Sequence, residues 1–561
     1  MPSMVKTVDR GPLDIVPLGG LGEFGLNMMT YRHGDTMLVV DAGIMFPGPE
    51  HLGVNVLLPD TRYLEEHRDV FRGIVLTHAH EDHIGALPQI LKQFKVPVYG
   101  TKLTLGMVRR KLVEHELDSE VELHEISPGE SFSVGSFGAE LVSMTHSLAD
   151  AVAVVLDTPQ GKIVHTGDFK VDEAPPVGPP IDLKRLAELG KEGVLCMLSD
   201  STNAEVAGRT GNESSVADAI KTLITEAPGR VLFSCFTSST HRIQIALDVA
   251  AKLGRKVALV GRSMVENTHT AMDLGYMKAP AGLIRAIDEF DQVPRNKQLF
   301  ITAGSQGEPF SALAQVANDT HRYISIEPGD RVLLSARVIP GNTRAVNLVV
   351  NRLHRLGADV FQPGRADIHV SGHASAEDLD MVLRLVKPES FVPIHGEWRQ
   401  LFHHAKIARD SGVDPDAVFL AEDGDVLRFE EGSAAIVDHF DTQRELVDVS
   451  GLGLVDDCVV RDRRRLAAAG VVVPMLSLNS KGAPIVSDIL SRGFVDNEDA
   501  EALLSEAHDI VLDAVRSLSS EESGSEQAVE ELIEVTLKRF FRKKGIRRPV
   551  ILPVVVEAEE E

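Results

Sequence analysis

The amino-terminal part of the chain alternates short apolar runs with turn signals. The β-branched and aliphatic runs that predict strands are Leu13–Pro17, Met28–Arg32, Met37–Val40 and Gly73–Thr77. His33-Gly34-Asp35 and Pro159-Gln160-Gly161 each separate two apolar runs and predict hairpin turns. Apolar residues in Ile84–Phe94 recur with helical spacing directly after a predicted strand. The pattern therefore predicts a strand-rich α/β domain.

Helical and strand-like segments alternate from about Asn212 onward. The alternating segments are Ser215–Ala227, Arg230–Phe236, His241–Leu253, Lys256–Val260, Gln298–Thr302 and Arg331–Ser335. This rhythm is typical of parallel βαβ units. Near Phe361–Val370 the sequence returns to a histidine-rich segment that resembles the histidine-rich part of the first domain. The middle of the chain is therefore interpreted as an insertion.

A third unit is predicted after a connector. The glycine-rich stretch Ser450–Gly453 and the arginine cluster Arg461–Arg465 indicate this connector. Beyond it, the pattern predicts helices at Asp499–Leu518 and Gln527–Phe541, a loop at Ser519–Glu526 and a strand at Val550–Val556.

The composition supports several folded domains. The 561 residues are 43% hydrophobic and carry a formal net charge of −26. Such a chain can bury large cores, and it is neither a small disulfide scaffold nor a simple basic nucleic-acid tail. A polyanion is repelled at long range, so a nucleic-acid substrate would need local basic surfaces that act within ~8–10 Å.

Three basic clusters are candidates for such surfaces. They are Arg109–Lys111, Arg461–Arg465 and Lys538–Arg548, the last interleaved with Phe540 and Phe541. A solvated helix end or an oligomer contact explains the last cluster at least as well as direct RNA contact.

Cysteine usage and the lack of targeting signals indicate a cytoplasmic protein with no membrane partner. Cys196, Cys235 and Cys458 are each flanked by apolar residues, and none lies in a CxxC pair, so buried thiols in a reducing compartment are expected. Met1–Arg10 lacks the apolar core of a signal peptide, and the longest apolar run, Leu466–Leu478, is too short to span a bilayer.

The strongest chemical signal is the heptapeptide Thr77-His78-Ala79-His80-Glu81-Asp82-His83, where a predicted strand meets a helix. Alternate positions of an extended chain project to one side, so His78 and His80 can bind one ion. Asp82 and His83, at the turn into the helix, can face a second ion. A polar loop with accidental histidines is the alternative, but this spacing is improbable by chance.

Two further segments offer ligands for the same metals. His146 follows a predicted strand, and Asp168 lies beside a glycine at the end of another. Taken alone, each is more simply a turn residue.

These motifs together resemble the metallo-β-lactamase superfamily, with its HxHxDH loop, downstream histidine and bridging aspartate. The resemblance implies an αββα four-layer fold with two zinc ions. It assigns His78, His80 and His146 to one zinc, Asp82 and His83 to the other, and Asp168 to both. The last ligand would be His395, which comes unusually late in the chain.

Segments around Asp200, His373 and His395 resemble motifs A, B and C of the β-CASP nucleases, a family within this superfamily, and the resemblance covers essentially the whole chain. It implies an α/β fold with a metallo-β-lactamase domain (1–211 and 361–449), an inserted β-CASP domain (212–360), a linker (450–465) and a small α+β C-terminal domain (466–561).

The family resemblance implies a zinc-dependent ribonuclease, with manganese as the alternative metal. Its implied substrate is single-stranded RNA with a 5′ monophosphate, degraded from the 5′ end with additional internal cleavage, in mRNA decay and rRNA maturation. The implied catalytic residues are Asp82, Asp200 and His373, with His373 as acid or phosphate ligand and Asp200 as a residue that orients a histidine. The implied substrate-binding residues are Ser238, Ser239, Thr240, His369, Val370, Ser371, Gly372, His373, Ala374 and Ser375.

The family further implies a homodimer or homotetramer formed through the C-terminal domain, and partners in an RNA-degradation complex. It also implies a structural calcium ion bound by the Gly53 carbonyl, Asn55 and Asp448. Asn55 stands where a carboxylate can occur.

Three rival functions stay open from the sequence. A small-molecule hydrolase of the same superfamily is disfavoured by the long insertion with its three motifs. A catalytically inactive RNA-binding scaffold is disfavoured because all seven metal ligands are present. A DNA-acting β-CASP nuclease is disfavoured by the C-terminal domain, but a preference for the 2′-hydroxyl cannot be read from sequence.

Overall fold

The computed structural model describes residues 11–339, 341–448, 453–479, 483–495, 497–519, 522–523, 525–546 and 548–557. The predicted features at Met1–Arg10 and Ser450–Leu452 lie outside these residues, as does Arg547 of the third basic cluster. The chain forms two compact units, residues 1–46 with 57–445, and residues 47–56 with 446–561.

The described residues up to Asp200 form thirteen strands and five α-helices. The strands are β1 (Leu13–Gly19), β2 (Leu21–Gly22), β3 (Met28–His33), β4 (Thr36–Val40), β5 (Val54–Leu58), β6 (Phe71–Val75), β7 (Val98–Gly100), β8 (Leu123–Glu125), β9 (Ser131–Val134), β10 (Phe137–Ser143), β11 (Val152–Asp157), β12 (Lys162–His165) and β13 (Cys196–Asp200). The helices are α1 (Arg62–Glu66), α2 (Glu81–Ile84), α3 (Leu87–Gln93), α4 (Lys102–Glu114) and α5 (Leu183–Glu192). The predicted hairpins at Gly34 and Gln160 are confirmed, since β3 pairs with β4 and β11 with β12, both antiparallel.

A parallel α/β sheet follows. Its strands are β14 (Val231–Ser234), β15 (Lys256–Val260), β16 (Gln298–Thr302), β17 (Arg331–Leu334) and β18 (Asp359–Phe361), in the order β15-β16-β14-β17-β18. Its helices are α6 (Ala217–Thr225), α7 (Thr240–Leu253), α8 (Arg262–Asp273), α9 (Ala312–Ala317) and α10 (Thr343–Arg355). All its strand pairs are parallel, as the βαβ rhythm predicts.

The chain then completes the first two sheets. The returning elements are α11 (Ala376–Val386), β19 (Ser390–Ile394), β20 (Gly396–Glu397), α12 (Trp398–Asp410), β21 (Asp425–Glu430), β22 (Ser433–His439) and β23 (Glu445–Asp448). Strands β19, β21 and β22 join the two sheets, whereas β20 pairs with β2 and β23 with β5. One sheet has eight strands in the order β22-β21-β1-β3-β4-β6-β7-β8, and the other has six in the order β19-β13-β12-β11-β10-β9. Strands from both ends of this unit therefore meet in the same sheets.

The main core lies between these two sheets. Leu13 and Leu38 of the larger sheet belong to the same buried cluster as Phe137, Leu156 and Leu198 of the smaller one. A second buried cluster packs α5, α11 and α12 on the outer face of the smaller sheet, while α3 and α4 lie on the side of the larger sheet. The four-layer αββα arrangement with an inserted α/β domain is thus confirmed.

The second unit contains a sheet with three helices. Its elements are α13 (Asp457–Ala469), β24 (Val471–Leu478), β25 (Pro484–Arg492), α14 (Asn497–Arg516), α15 (Glu526–Lys543), β26 (Val550–Ile551) and β27 (Val554–Glu557). The predicted strand at the carboxyl end is interrupted at Leu552-Pro553, because proline has no N–H to donate to a ladder.

One expectation about side chains is wrong, the burial of all three cysteines. The arginine cluster Arg461–Arg465, which the sequence indicates as part of a connector, lies in helix α13, where Val460 is buried and anchors one helical face. Cys458 is exposed, whereas Cys196 and Cys235 are buried. Phe540 and Phe541, which interleave with the third basic cluster, are buried in the core of the second unit.

No helix in the described part of the chain combines the length and the apolar character that crossing a bilayer requires.

Candidate metal centre

The predicted metal ligands converge at one edge of the two sheets. His78 and His80 follow β6, and Asp82 and His83 lie in the short helix α2. The remaining ligands, His146, Asp168 and His395, follow β10, β12 and β19. Since β12, β13 and β19 are parallel, their carboxyl ends share one sheet edge, as polar sites of α/β sheets do.

One cluster contains three imidazoles and a carboxylate. His78, His80, His146 and Asp168 each offer one ligand atom within 4.8 Å of the others. His80 Nδ1 is 3.0 Å from His78 Nε2 and 3.1 Å from His146 Nε2. This mixture of nitrogen and oxygen donors is one that zinc prefers.

A second cluster shares the same aspartate. Asp82, His83, Asp168 and His395 also bring their ligand atoms within 4.8 Å of one another. Asp168 Oδ1 is 3.3 Å from His83 Nε2, and Asp82 Oδ2 is 3.4 Å from His395 Nε2. Because Asp168 belongs to both clusters, its carboxylate can bridge two ions.

The donor set fits metal ions. Asp168 Oδ1 and His395 Nε2 are buried atoms that no group in the described part of the chain hydrogen-bonds, an arrangement that is costly unless something else binds them. Burial and neighbouring imidazoles hold the pKa values of His78 and His146 well below the usual range, and burial lowers the pKa of His80 to about 4. These three imidazoles are therefore neutral at pH 7, as metal ligands must be.

Asp41 supports two residues of the candidate metal centre, and no sequence motif indicated it. Its Oδ2 accepts hydrogen bonds from Thr77 Oγ1 at 2.7 Å and from His83 Nδ1 at 2.7 Å, and its Oδ1 accepts one from the Thr77 amide. Such contacts fix the orientation of metal-bound imidazoles. Its position at the end of β4, the parallel neighbour of β6, was an available signal.

Asp200 orients two histidines. Its Oδ2 lies 2.8 Å from His373 Nδ1, and its Oδ1 lies 3.3 Å from His395 Nδ1. Thr202 Oγ1 donates to Asp200 Oδ1 and also lies 2.9 Å from His395 Nδ1. Asp200 and His373 also form a third group with Asp168 and His395, whose ligand atoms lie within 4.8 Å of one another. The hydrogen bonds from the two histidines favour the orienting role for Asp200.

The loop 369–375 lies against the first cluster. His146 Nδ1 donates to the Gly372 carbonyl at 2.7 Å, and a side chain at Gly372 would meet the His146 ring at 2.7 Å. Ser371 Oγ accepts a hydrogen bond from the His373 amide. Two backbone groups of the loop are already engaged, since the Val370 carbonyl accepts from Arg242 and the Ala374 amide donates to the Phe169 carbonyl. The side chains of Ser371 and His373 are thus the most accessible polar groups of this loop.

The predicted segment 238–240 is positioned differently from the expectation. Ser239 and Thr240 are buried, and their hydroxyls bond the Ser147 carbonyl and the Ala149 amide, just after His146. Only Ser238 is half-exposed. This segment therefore supports the loop that carries His146 more directly than it could bind a substrate.

The expected calcium ligands surround an arginine. Arg463 Nη1 donates to the Gly53 carbonyl at 3.1 Å, and Arg463 Nη2 donates to Asp448 Oδ2 at 3.2 Å. Asn55 is exposed and contributes no charge. A guanidinium already occupies these oxygens, so the donor set does not fit a calcium ion.

A four-layer sandwich with two His/Asp clusters at one edge and an inserted α/β domain defines a β-CASP member of the metallo-β-lactamase superfamily. Family models agree: residues 21–224 match the metallo-beta-lactamase superfamily, 228–353 the ribonuclease J beta-CASP domain, 362–418 the Zn-dependent metallo-hydrolase RNA specificity domain, and 458–558 the ribonuclease J C-terminal domain. The chain belongs to the ribonuclease J family of metal-dependent ribonucleases.

Relatives match over nearly the whole chain. Ribonuclease J 1 of Streptococcus pyogenes is 39% identical, with 97% of this chain and 98% of that protein aligned. Ribonuclease J of Thermus thermophilus is 41% identical, with 98% and 96% aligned. A crystal structure of an Enterococcus faecalis protein of unknown function covers 75% of this chain and 100% of its own, with a TM-score of 0.52 and 15% identity, which shows a shared fold.

Proposed function

We propose that this protein degrades single-stranded RNA from the 5′ end, prefers a 5′ monophosphate, and also cleaves internally, in mRNA decay and rRNA maturation. The observation that carries the proposal is the place of the 369–375 loop. The His373 ring centroid lies 4.8 Å from that of His146 and 5.5 Å from that of His395. A terminal phosphate held at Ser371 would therefore bring the adjoining linkage to His373 and the metal clusters.

Two bound metal ions would polarise the scissile phosphate and supply the attacking hydroxide at neutral pH. The donor set favours zinc, and manganese is the competing ion by availability. His78, His80 and His146 with Asp168 would hold one ion. Asp82, His83 and His395 with Asp168 would hold the other.

His373 is the proposed acid for the leaving 3′ oxygen. Burial lowers its pKa, but the Asp200 carboxylate outweighs burial and raises the pKa above the ordinary value. Because Nδ1 is bonded to Asp200, the proton to be donated is on Nε2.

A time course tests the substrate and the direction together. One RNA sequence is prepared with a 5′ monophosphate, a 5′ triphosphate or a 5′ hydroxyl, beside matching DNA, and products are resolved by length with wild type and His80→Ala. We expect mononucleotides from the monophosphate RNA and none with His80→Ala. Internal fragments alone from all RNAs would contradict exonuclease action, and cleavage of DNA at the same rate would contradict RNA specificity.

We further propose a homodimer or homotetramer formed through the second unit, within an RNA-degradation complex. The outer face of its sheet exposes Leu490 by 48%, Val554 by 42% and Val556 by 53%. Paired strands bring these apolar side chains to one face, where a second copy would cover them. Light scattering should show Val554→Glu as a smaller assembly than wild type, and an unchanged mass would contradict this interface.

A further inference from the structure

An exposed arginine, Arg337, is linked to the 369–375 loop through the side chain of Asn203. Arg337 follows β17, at the carboxyl edge of the inserted parallel sheet. Its Nη1 donates to Asn203 Oδ1 at 3.0 Å. Asn203 Nδ2 in turn donates to Ser371 Oγ at 2.8 Å and to the His373 carbonyl at 3.0 Å. Asn203 therefore holds the guanidinium beside the two accessible groups of the loop.

The backbone of this arginine is fixed by a neighbouring segment. Gln306 is buried, and its side-chain amide donates to the Arg337 carbonyl at 2.9 Å. The Gln306 side-chain oxygen accepts from the Ile339 amide at 2.8 Å. The exposed side chain thus extends from a backbone held in place on both sides, which lowers the entropic cost of binding through it.

Arg337 is not neutralised by a carboxylate. Within the described residues, no Asp or Glu oxygen lies within 4.0 Å of its guanidinium. The other cations near the loop are occupied: Arg209 pairs with Asp378, Arg242 is buried against Glu213, and Lys170 is buried between Asp172 and Glu213.

We propose that Arg337 binds the 5′-terminal phosphate of the RNA substrate, together with Ser371. The inference rests on the proposed function and names the group that gives it specificity. A terminal monophosphate carries about −1.5 to −2 charge at pH 7, more than a bridging phosphodiester. Arginine recognises such a group through several N–H donors at once, and only one of them is bonded to Asn203. A 5′ hydroxyl offers this arginine no anion.

Binding to the holoenzyme tests the inference directly. A 3′-labelled, phosphorothioate-protected RNA, shown to stay intact, is titrated with either a 5′ monophosphate or a 5′ hydroxyl, and anisotropy is recorded. Arg337→Gln should weaken binding of the monophosphate RNA by ~10–100-fold, the loss of a charge-assisted hydrogen bond or two, and binding of the hydroxyl RNA by less than ~3-fold. The slope of log affinity against log salt for the monophosphate RNA should also fall, by ~0.7.

Two further variants separate recognition from scaffolding. Glutamine can keep the bond to Asn203 without the charge, whereas Arg337→Ala loses both. Arg355→Gln is the matched control, since Arg355 is exposed on the same domain at the end of α10. It should bind like wild type.

Three results would overturn the inference. If Arg337→Gln keeps the monophosphate preference and Arg337→Ala loses it, Arg337 only positions Asn203. If both variants keep the preference, Arg337 is not the phosphate ligand, while the proposed function stands. If wild type has no preference for the monophosphate, the proposed function fails and this inference fails with it.

Discussion

Asp41 shows how one residue outside the ligand set shapes the metal centre. It has a left-handed backbone conformation, with φ 62°, and its buried carboxylate bonds Thr77 and His83 together. Thr77 Oγ1 also lies 3.0 Å from His78 Nδ1, so a single carboxylate orients ligands of both clusters. Asparagine at this position would lose the negative charge that keeps the His83 Nδ1 proton in place.

We therefore expect Asp41→Asn to lower metal affinity by ~10–100-fold, the usual effect of removing such a supporting carboxylate. Metal content after dialysis against a graded chelator, measured by mass spectrometry, checks this. Asp35→Asn, on the exposed turn between β3 and β4, is the matched control and should retain its metal. Equal metal retention by both variants would show that Asp41 has no part in binding.

The cysteines give a second test at the scale of single residues. Burial raises the pKa values of the Cys196 and Cys235 thiols, so they stay protonated and shielded. Cys458 is exposed at the start of α13. A thiol reagent should therefore modify Cys458 within minutes in the native protein and the other two only after unfolding, as peptide mass mapping would show. Labelling of Cys196 in the native protein would show that this thiol is not buried in the core.

The sequence predicts the candidate ligands but not the residues that support them. The heptapeptide from Thr77 to His83 has a spacing that only a metal site explains economically. Asp41, Asn203 and Arg337 lack such a local pattern, because each acts through contacts with residues far away in the chain. Long-range hydrogen bonds leave no periodicity in the sequence.

At the scale of elements, the 369–375 loop depends on one glycine. A Cβ at Gly372 would lie 2.7 Å from His146 Cε1 and 2.8 Å from His146 Nδ1, distances that side chains do not tolerate. Gly372→Ala must therefore displace either the loop or the His146 ring.

We expect Gly372→Ala to lose at least ~10-fold in kcat and to bind less metal, since ligand displacements of about 1 Å cost on that order or more. Cleavage rates and metal content would be measured together. Gly211→Ala is the control, because its Cβ would meet only ordinary contacts at 3.5 Å and beyond. Wild-type activity in Gly372→Ala would mean that the loop does not need its contact with His146.

Helix α13 shows what the sequence pattern did not indicate about the connector. Its arginines were interpreted, together with the glycine-rich stretch, as a connector to the third unit. In the structure, Arg463 and Arg464 extend from the helix to the carbonyls of Gly53 and Glu50. These hydrogen bonds join the helix to a segment about 410 residues earlier in the chain. No local sequence pattern predicts such a long-range contact.

Calcium should consequently leave the stability of this unit unchanged. We expect no shift in its thermal unfolding between calcium and chelator, because Arg463 already supplies a cation to the Gly53 and Asp448 oxygens. The double variant Arg463→Ser with Asn55→Asp should become calcium-dependent, by ~2.7 kcal/mol at a hundred times the dissociation constant. Arg464→Ser with Asn55→Asp, which keeps Arg463, should not. Stabilisation of wild type by calcium would refute this account.

At the scale of the whole molecule, the metal ligands all belong to the first compact unit. Metal binding stabilises whichever unit holds the ligands, by RT ln(1 + [L]/Kd). Removal of metal should therefore lower the unfolding temperature of the first unit and leave the second unchanged. Calorimetry with and without chelator checks this, and equal shifts in both transitions would contradict it.

The broad architecture could be predicted because each layer has its own periodicity. The βαβ rhythm marked the inserted sheet, and the return of histidine-rich segments marked its end. The pairing of β1 with β21 and of β13 with β19 could not be deduced from pattern, because partner choice depends on packing across the completed core.

These same pairings set an order of assembly during protein synthesis. A ribosome that is still translating the inserted domain carries a nascent chain with His78 to Asp168 but without β19, β21 or His395. Its second metal cluster lacks a ligand, and both sheets lack strands. Because His395 is synthesised late, this chain cannot complete its metal centre until the ribosome has translated most of the message that encodes it.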